Sequence, residues 1–467
     1  MKNINRLLNA LLIILALELL CGLACIKSGL KEKERNLIQD TERFNKDYGS
    51  KGVTVKNKKL DWTIRLASHG LILKNSLIKN VELQTVDLRN IHIENSRIEN
   101  VFIRDGSDFS GSTFKNVKFK NIRFKGRVKM YGDIDRYKDN ELKDSIFINC
   151  EFVNCEFEEV TFGKEYTNCK FINCRFNYIT LGNMYRDCEF INCKFYTITP
   201  GWEYINCKFI ACEIKTRKNH NGKFENVTFE NSIVRTGFEL KDSKNVQFIN
   251  CLMYSRTWIG GKIENILIQN SEADIYFGGK IENILIQNSK ADIYFGGNIK
   301  DIVIKDCPLI ELMFNKGAFN NLSIINSKCL VTKFSNANLS NLLIKDSIVA
   351  HLRFYKSNIS GNNKIENSEI WGNCYGKTKV RNLTIANCTF EYYVDIVLSD
   401  LYRLRLVNNV YKENTQHAVR GEKYIDSDKF PLEPVYLSKD HSPWDEDVDI
   451  PHRPHRHFDL EKRLKGL

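Results

Sequence analysis

Residues 149–195 read NCEFVNCEFEEVTFGKEYTNCKFINCRFNYITLGNMYRDCEFINCKF. In this stretch and just beyond it, cysteine pairs recur every nineteen residues, at Cys150/Cys155, Cys169/Cys174, Cys188/Cys193 and Cys207/Cys212. Phe152, Phe171, Phe190 and Phe209 keep the same step, and so do Gly163, Gly182 and Gly201. Several residue types locked to one spacing indicate a repeated structural unit, in which each copy stacks on the last.

The Phe152 position can be followed outward along the chain. It continues through Phe229, Phe248, Ile268, Ile286, Ile304, Ile324, Ile344, Ile365 and Ile385, in steps that never stray far from nineteen. Three residues later runs a column of small residues: Cys155, Cys174, Cys193, Cys212, Ser232, Cys251, Ser271, Ser289, Cys307, Ser327, Ser347, Ser368 and Cys388. Every rung of the first column is Phe or Ile, and every rung of the second is Cys or Ser. Just before the small column stands a third, mostly Asn, from Asn154 and Asn173 to Asn367 and Asn387. Asn tolerates left-handed backbone, and stacked Asn side chains bond along a column, so these positions read as tight corners.

Within one coil the step is five, as in Phe147, Phe152, Phe157 and Phe162, and upstream in Leu73, Ile78, Leu83, Leu88, Ile93, Ile98 and Ile103. Alternation places each large centre and the residue two before it on one face, pointing inward. Five residues leave room only for a short side and a corner. This pattern resembles the pentapeptide-repeat family over about residues 71 to 408. The resemblance implies an all-β fold, a right-handed parallel β-helix with four sides, in which four pentapeptides complete one coil. The coils that fall one or two residues short of that length depart from the square section. Tyr166, Tyr185 and Tyr204 follow the preceding centre by four residues and read as the fourth centre of a shortened side, with glycine easing the corner. Roughly 16 or 17 coils at about 4.8 Å each would extend about 80 Å.

The cysteine column Cys155, Cys174, Cys193, Cys212, Cys251, Cys307 and Cys388 therefore reads as a structural ladder that fills a narrow interior. Serine at six of the thirteen rungs argues that size counts for more than sulfur chemistry. Zinc at the C-x4-C pairs is disfavoured, because neighbouring sides aim the two thiols through different walls and no His accompanies them. No metal or other cofactor is expected. Disulfides between stacked rungs are open on distance alone.

The ends read differently. Lys2 and Arg6 precede the apolar run LLNALLIILALELLCGLAC, whose GLAC resembles a bacterial lipoprotein signal box. That resemblance implies cleavage before Cys25, lipid attachment to Cys25, and a protein held at the membrane or envelope after export. An uncleaved membrane anchor and a simple signal peptide are the alternatives. The domain reading is a signal at 1–24, a polar tether with a short helix at 25–58, the β-helix at 59–410, and a charged, His-containing tail or cap at 411–467. In that tail His452, His455 and His457 could capture a metal, although a basic tail is the simpler reading. DEDVD begins like a calcium loop, but Ile450 replaces the required glycine and Arg456 the final glutamate.

A net charge of +12 is spread among interleaved acids, without a dense basic block, so nucleic acid is not an expected partner. The family also contains cytosolic DNA mimics that bind gyrase, and a basic, exported chain does not match that role. The expected function is a non-catalytic binding, scaffold or spacer protein with a protein or glycan ligand. The alternative is a β-helix that binds or cleaves surface polysaccharide. Two places break the rhythm. The first is the excursion at 125–144, with Arg127, Lys129 and Tyr131 as candidate contacts. The second is the duplication GGKIENILIQNSEADIYF at 260–277 and 278–295. There Asp274 and Tyr276 should face outward, with Asp292 and Tyr294 stacked above them. Carboxylates about 5 Å apart match a retaining glycosidase, but duplication creates such a pair automatically and no third catalytic group is visible.

Overall fold

A computed structural model describes residues 54–60, 72–84, 88–104, 109–125, 140–142, 145–179, 184–198, 203–216, 220–235, 238–397, 400–412, 416–420 and 425–427. Among these residues every element is a β-strand. The chain forms two compact units, 1–238 and 239–467. Within each, the described strands pair in parallel with the coil before and the coil after, the arrangement of a pentapeptide-repeat-like β-solenoid.

In the first unit the sides are three-residue strands, such as Glu151–Val153, Lys170–Ile172, Glu189–Ile191 and Lys208–Ile210. Their registers align Phe152, Phe171, Phe190 and Phe209. Successive rings stack nearly parallel at 4.6, 4.8 and 4.7 Å between centroids. Phe147, Tyr166, Tyr185, Tyr204 and Phe224 form the neighbouring stack, so the three tyrosines do take the fourth centre. The Tyr166 hydroxyl accepts the Gly163 N–H at 3.1 Å. A Cβ at Gly163 would sit 2.7 Å from the Ser145 carbonyl oxygen, which is why the shortened corner uses glycine. Gly182 and Gly201 lie outside the described residues.

Many sides end at a left-handed residue. Asn154, Asn173 and Asn192 have φ of 52°, 53° and 50°, and even Ala211 follows at 53°. The turn frees the Asn side chain to bond the coil below. Asn173 donates to Asn154 at 3.1 Å and Asn192 to Asn173 at 2.8 Å. The corner column is thus both a backbone requirement and a hydrogen-bonded ladder.

The small column obeys a stricter rule than size. Each of its thirteen residues is buried. Ser232 Oγ donates to the Glu230 carbonyl at 2.8 Å and accepts the Cys212 N–H at 3.0 Å. Cys251, Ser327 and Ser347 likewise give their N–H groups to Ser271, Ser347 and Ser368 one coil on. Where cysteine stands, the thiol reaches carbonyls instead, as Cys174 does toward Phe152 O and Ile172 O, both at 3.4 Å. A side chain here must therefore carry a small hydrogen-bonding group, since an unmet buried backbone group is costly. Size thus acts together with hydrogen bonding, and serine serves at six rungs without sulfur. Ser347→Ala should cost about 1–3 kcal/mol because it orphans the buried Ser327 N–H, and Ser347→Cys should cost less. Denaturant midpoints of the two variants check this.

The twelve cysteines whose side chains are described are buried and free of disulfides. Burial raises the thiols of Cys155 and Cys193, and pushes Cys329 up to about 12 and Cys388 up to about 11. These thiols stay protonated at neutral pH and are poor nucleophiles. Alkylation should be slow in native protein and fast in denaturant. Mass spectrometry that finds a ladder of disulfides would overturn the reduced state. Among the described residues no group of three or more His, Cys, Asp or Glu is placed to hold a metal ion.

The excursion at 125–144 closes earlier than its sequence suggests. Asn140 and Glu141 pair with Val160 and Thr161, and Leu142 is 3 % exposed, so Leu142 already serves as a centre. The five-residue rhythm resumes there because Leu142, Phe147, Phe152, Phe157 and Phe162 keep one phase. The region between 126 and 139, with Arg127, Lys129 and Tyr131, lies outside the described residues.

In the second unit, sides merge into longer strands such as Lys262–Gln269, Lys280–Gln287 and Lys290–Lys305. Their registers carry Ile268 through Ile286, Ile304, Ile324, Ile344 and Ile365 to Ile385. The longer coils take up an extra residue near Leu330, Ala350 and Trp371, which pack with Leu309 and Val331 in a separate apolar cluster. Trp371 is fully buried there, and its Nε1 donates to Glu369 at 2.7 Å.

Candidate functional site

The duplicated coils in the second unit build the wall of interest. Strand Glu272–Phe277 pairs with Lys290–Lys305 in register, which sets Asp274 against Asp292 and Tyr276 against Tyr294. Ile275, Phe277, Ile293 and Phe295 are at most 1 % exposed and fill the interior. Alternation therefore turns Asp274, Tyr276, Asp292 and Tyr294 outward, as the sequence predicted. Asp292 is exposed, and the other three are half-buried.

The wall extends beyond the duplication in both directions. Strand Leu252–Gly260 places Trp258 directly against Tyr276, with ring centroids 4.2 Å apart and planes 14° from parallel. Glu239 stands against Trp258 on the other side. The following coil contributes Glu311 opposite Asp292 and Met313 opposite Tyr294. One column thus reads Glu239, Trp258, Tyr276, Tyr294, Met313. The column beside it reads Asp274, Asp292, Glu311.

Two local features shape this surface. Between Met253 and Thr257 the strand carries two more residues than its partner has between Ala273 and Ile275, so the register shifts. Such a bulge bends the strand and re-aims its side chains. It flanks Asp274 and displays Tyr254, which is 42 % exposed, near Trp258 at 39 %. The second feature is glycine at the corner. A Cβ on Gly278 would come within 3.1 Å of both Trp258 and Tyr276, and one on Gly296 would lie 2.7 Å from the Tyr276 hydroxyl. Glycine lets the rings lean across the corner, where a larger residue would push them away.

Sequence reading found the duplicated half of this wall and missed Trp258 and Tyr254. A signal existed for Trp258, because GGKIEN follows both Ile259 and Phe277, which places Trp258 one repeat length before Tyr276. For the bulge, the trace was the step from Phe248 to Ile268, which is longer by two than the step from Ile268 to Ile286. Cys25, His452, His455 and His457 lie outside the described residues. Among the described residues no helix is long and apolar enough to cross a membrane.

No family model matches this chain, and no curated protein matches it. Solved structures give distant likenesses. QnrB1, a plasmid-mediated fluoroquinolone resistance protein, is 12 % identical with a TM-score of 0.19, over 43 % of this chain and 83 % of that one. A tailspike protein mutant of E. coli bacteriophage HK620 in complex with a pentasaccharide is 11 % identical, with a TM-score of 0.17 over 82 % and 76 %. A PL6 alginate lyase in complex with a trisaccharide is 12 % identical, with a TM-score of 0.17 over 86 % of each chain. TM-scores this low say nothing about activity or ligand.

Proposed function

We propose that this protein is an exported, lipid-anchored and non-catalytic binding protein of the cell envelope. Its outer wall at Tyr254, Trp258, Tyr276 and Tyr294 binds an extended ligand, a polysaccharide. The observation that carries this reading is the in-register row Trp258, Tyr276 and Tyr294, with Tyr254 exposed in the bulge four residues before Trp258 in the chain. Aromatic rings offer apolar area to the C–H faces of sugars, while neighbouring carboxylates accept hydroxyl hydrogen bonds. Parallel stacking sets the ligand along the solenoid axis, one contact per coil.

Catalysis is not part of the proposal. A general acid would need a carboxyl that keeps its proton near neutral pH, which takes burial or strong coupling. Asp292 is exposed and lacks that burial. Purified protein should retain polysaccharide without cleaving it. Trp258→Ala combined with Tyr276→Ala should weaken retention by about tenfold or more, the scale of losing an aromatic anchor. Unchanged retention in that variant, or turnover that Asp274→Asn with Asp292→Asn removes, would sink the reading. For the anchor, Cys25→Ser should release the protein from membranes and abolish incorporation of labelled fatty acid. Membrane retention without labelling would favour an uncleaved apolar anchor instead.

A further inference from the structure

One outer wall of the first unit carries two columns that complement their own reverse. On the strands centred at Phe119, Phe152, Phe171, Phe190 and Phe209, the residue before the centre runs Lys118, Glu151, Lys170, Glu189, Lys208. The residue after the centre runs Val153, Ile172, Ile191, Ile210 over the last four of them. Alternation turns both columns outward, and the four aliphatic side chains are half-buried on the surface. Charged residues bound this stripe, Lys120 one coil before Val153 and Glu230 one coil after Ile210. The alternation of sign is local to this wall segment, since one coil earlier Arg97 opposes Lys118.

Within the chain, Lys118 pairs with Glu151 at 2.9 Å and Lys170 with Glu189 at 3.2 Å. Among the described residues, Lys120, Lys208 and Glu230 join no ion pair. A ladder of four rungs that alternate in sign, from Glu151 to Lys208, is opposite in sign to itself read backwards. A second copy can therefore lie antiparallel against this wall, about a two-fold axis that crosses it between the Lys170 and Glu189 rungs. Lys170 then meets Glu189 of the second copy, and Glu151 meets its Lys208. The same operation puts Ile172 against Ile191, Val153 against Ile210 and Lys120 against Glu230. Two-fold symmetry makes each of these contacts twice. The charges left over within one chain are thus the ones that the second copy matches.

We propose that the wall from Lys120 to Glu230 is a self-association surface, and that its partner is a second copy of this chain in antiparallel alignment. The aliphatic rungs meet at the centre and exclude water, while the charged ladder beside them fixes the register. Five coil steps at about 4.8 Å give a contact about 24 Å long and one wall wide. That is smaller than a standard interface of about 800 Å² per partner, so the dimer is weak, with a Kd on the order of tens to hundreds of micromolar. This surface belongs to the first unit and does not depend on the aromatic wall of the second.

The test is sedimentation equilibrium of the full chain at concentrations that bracket that Kd. The parent should show a monomer–dimer equilibrium that high salt weakens. Lys170→Glu sets a carboxylate against Glu189 of the other copy, and Glu189→Lys sets two cations together, so each variant alone should be monomeric. A mixture of the two variants should dimerise again, because the altered rungs of one chain then face opposite charges on the other. Both changes in one chain should restore the dimer as well. Melting temperatures near the parent's show that the variants fold. A parent that stays monomeric, a dimer that persists in either single variant, or folded single variants that do not associate when mixed would each overturn the proposal.

Discussion

Removal of residues 278–295 should leave a folded protein, one coil shorter, that melts cooperatively close to the parent temperature. That segment forms one complete turn, and the partners on either side already share a register. Ile268 would meet Ile304, and Tyr276 would meet Met313, where each now meets its copy in the deleted coil. Gly296 would follow Phe277 much as Gly278 does now. In a solenoid each repeat touches only its neighbours, so the loss is one repeat and one interface. Removal of residues 278–287 should be far worse. It takes out the interior residues Ile281, Ile284 and Ile286, each at most 1 % exposed, and stacks the remaining half-coil on the wrong walls. Left-handed corners would then face strand positions, and interior side chains would meet outward ones. The expected cost is on the order of 5 kcal/mol or more, combining cavities, buried polar groups and backbone strain. Thermal unfolding followed by circular dichroism decides it, and equal losses in the two deletions would refute the coil assignment.

The second large effect is expected at the centre of the aromatic stack. Phe171 is fully buried, and its ring lies 4.6 Å from Phe152 and 4.8 Å from Phe190 in parallel stacks. It also meets Phe176 edge-on at 5.8 Å and Tyr166 at 5.8 Å. Phe171→Ala removes a ring from a column that cannot collapse, because the stacked backbones hold its walls apart. About 3–5 kcal/mol should be lost, at the upper part of that range if the stacking contacts add to burial. Ile172→Ala, one residue on and half-buried on the outer wall, should cost about 1 kcal/mol or less. Denaturant midpoints of the two variants, read beside the parent, make the comparison. Similar losses would mean that the ring column does not organise the interior.

Of all the features described, the coil itself was most plainly written in the residues. Phe or Ile at one position, Cys or Ser three later and Asn between them recur so regularly that each copy must stack on the last. A periodic chain meets the same neighbours at every rung, so its interior and corners follow from spacing alone. The left-handed Asn corners, the inward tyrosines and the facing of Asp274 and Tyr276 all came from that logic. Tertiary structure decided what the period could not express. The Cys or Ser column read as a matter of size more than sulfur, and the tertiary structure added backbone N–H groups that bond the serine hydroxyl one coil on. Leu142 looked like part of an excursion until its pairing with the coil above made it a centre. Tyr254 is exposed in a two-residue bulge that falls at one point in the coil, whereas Trp258 sits one repeat length before Tyr276 and was legible in the residues. Interior side chains are fixed by the packing of every rung, whereas outward ones are free to vary. Which of them meet depends on where each insertion sits in the register, and only the paired strands reveal that.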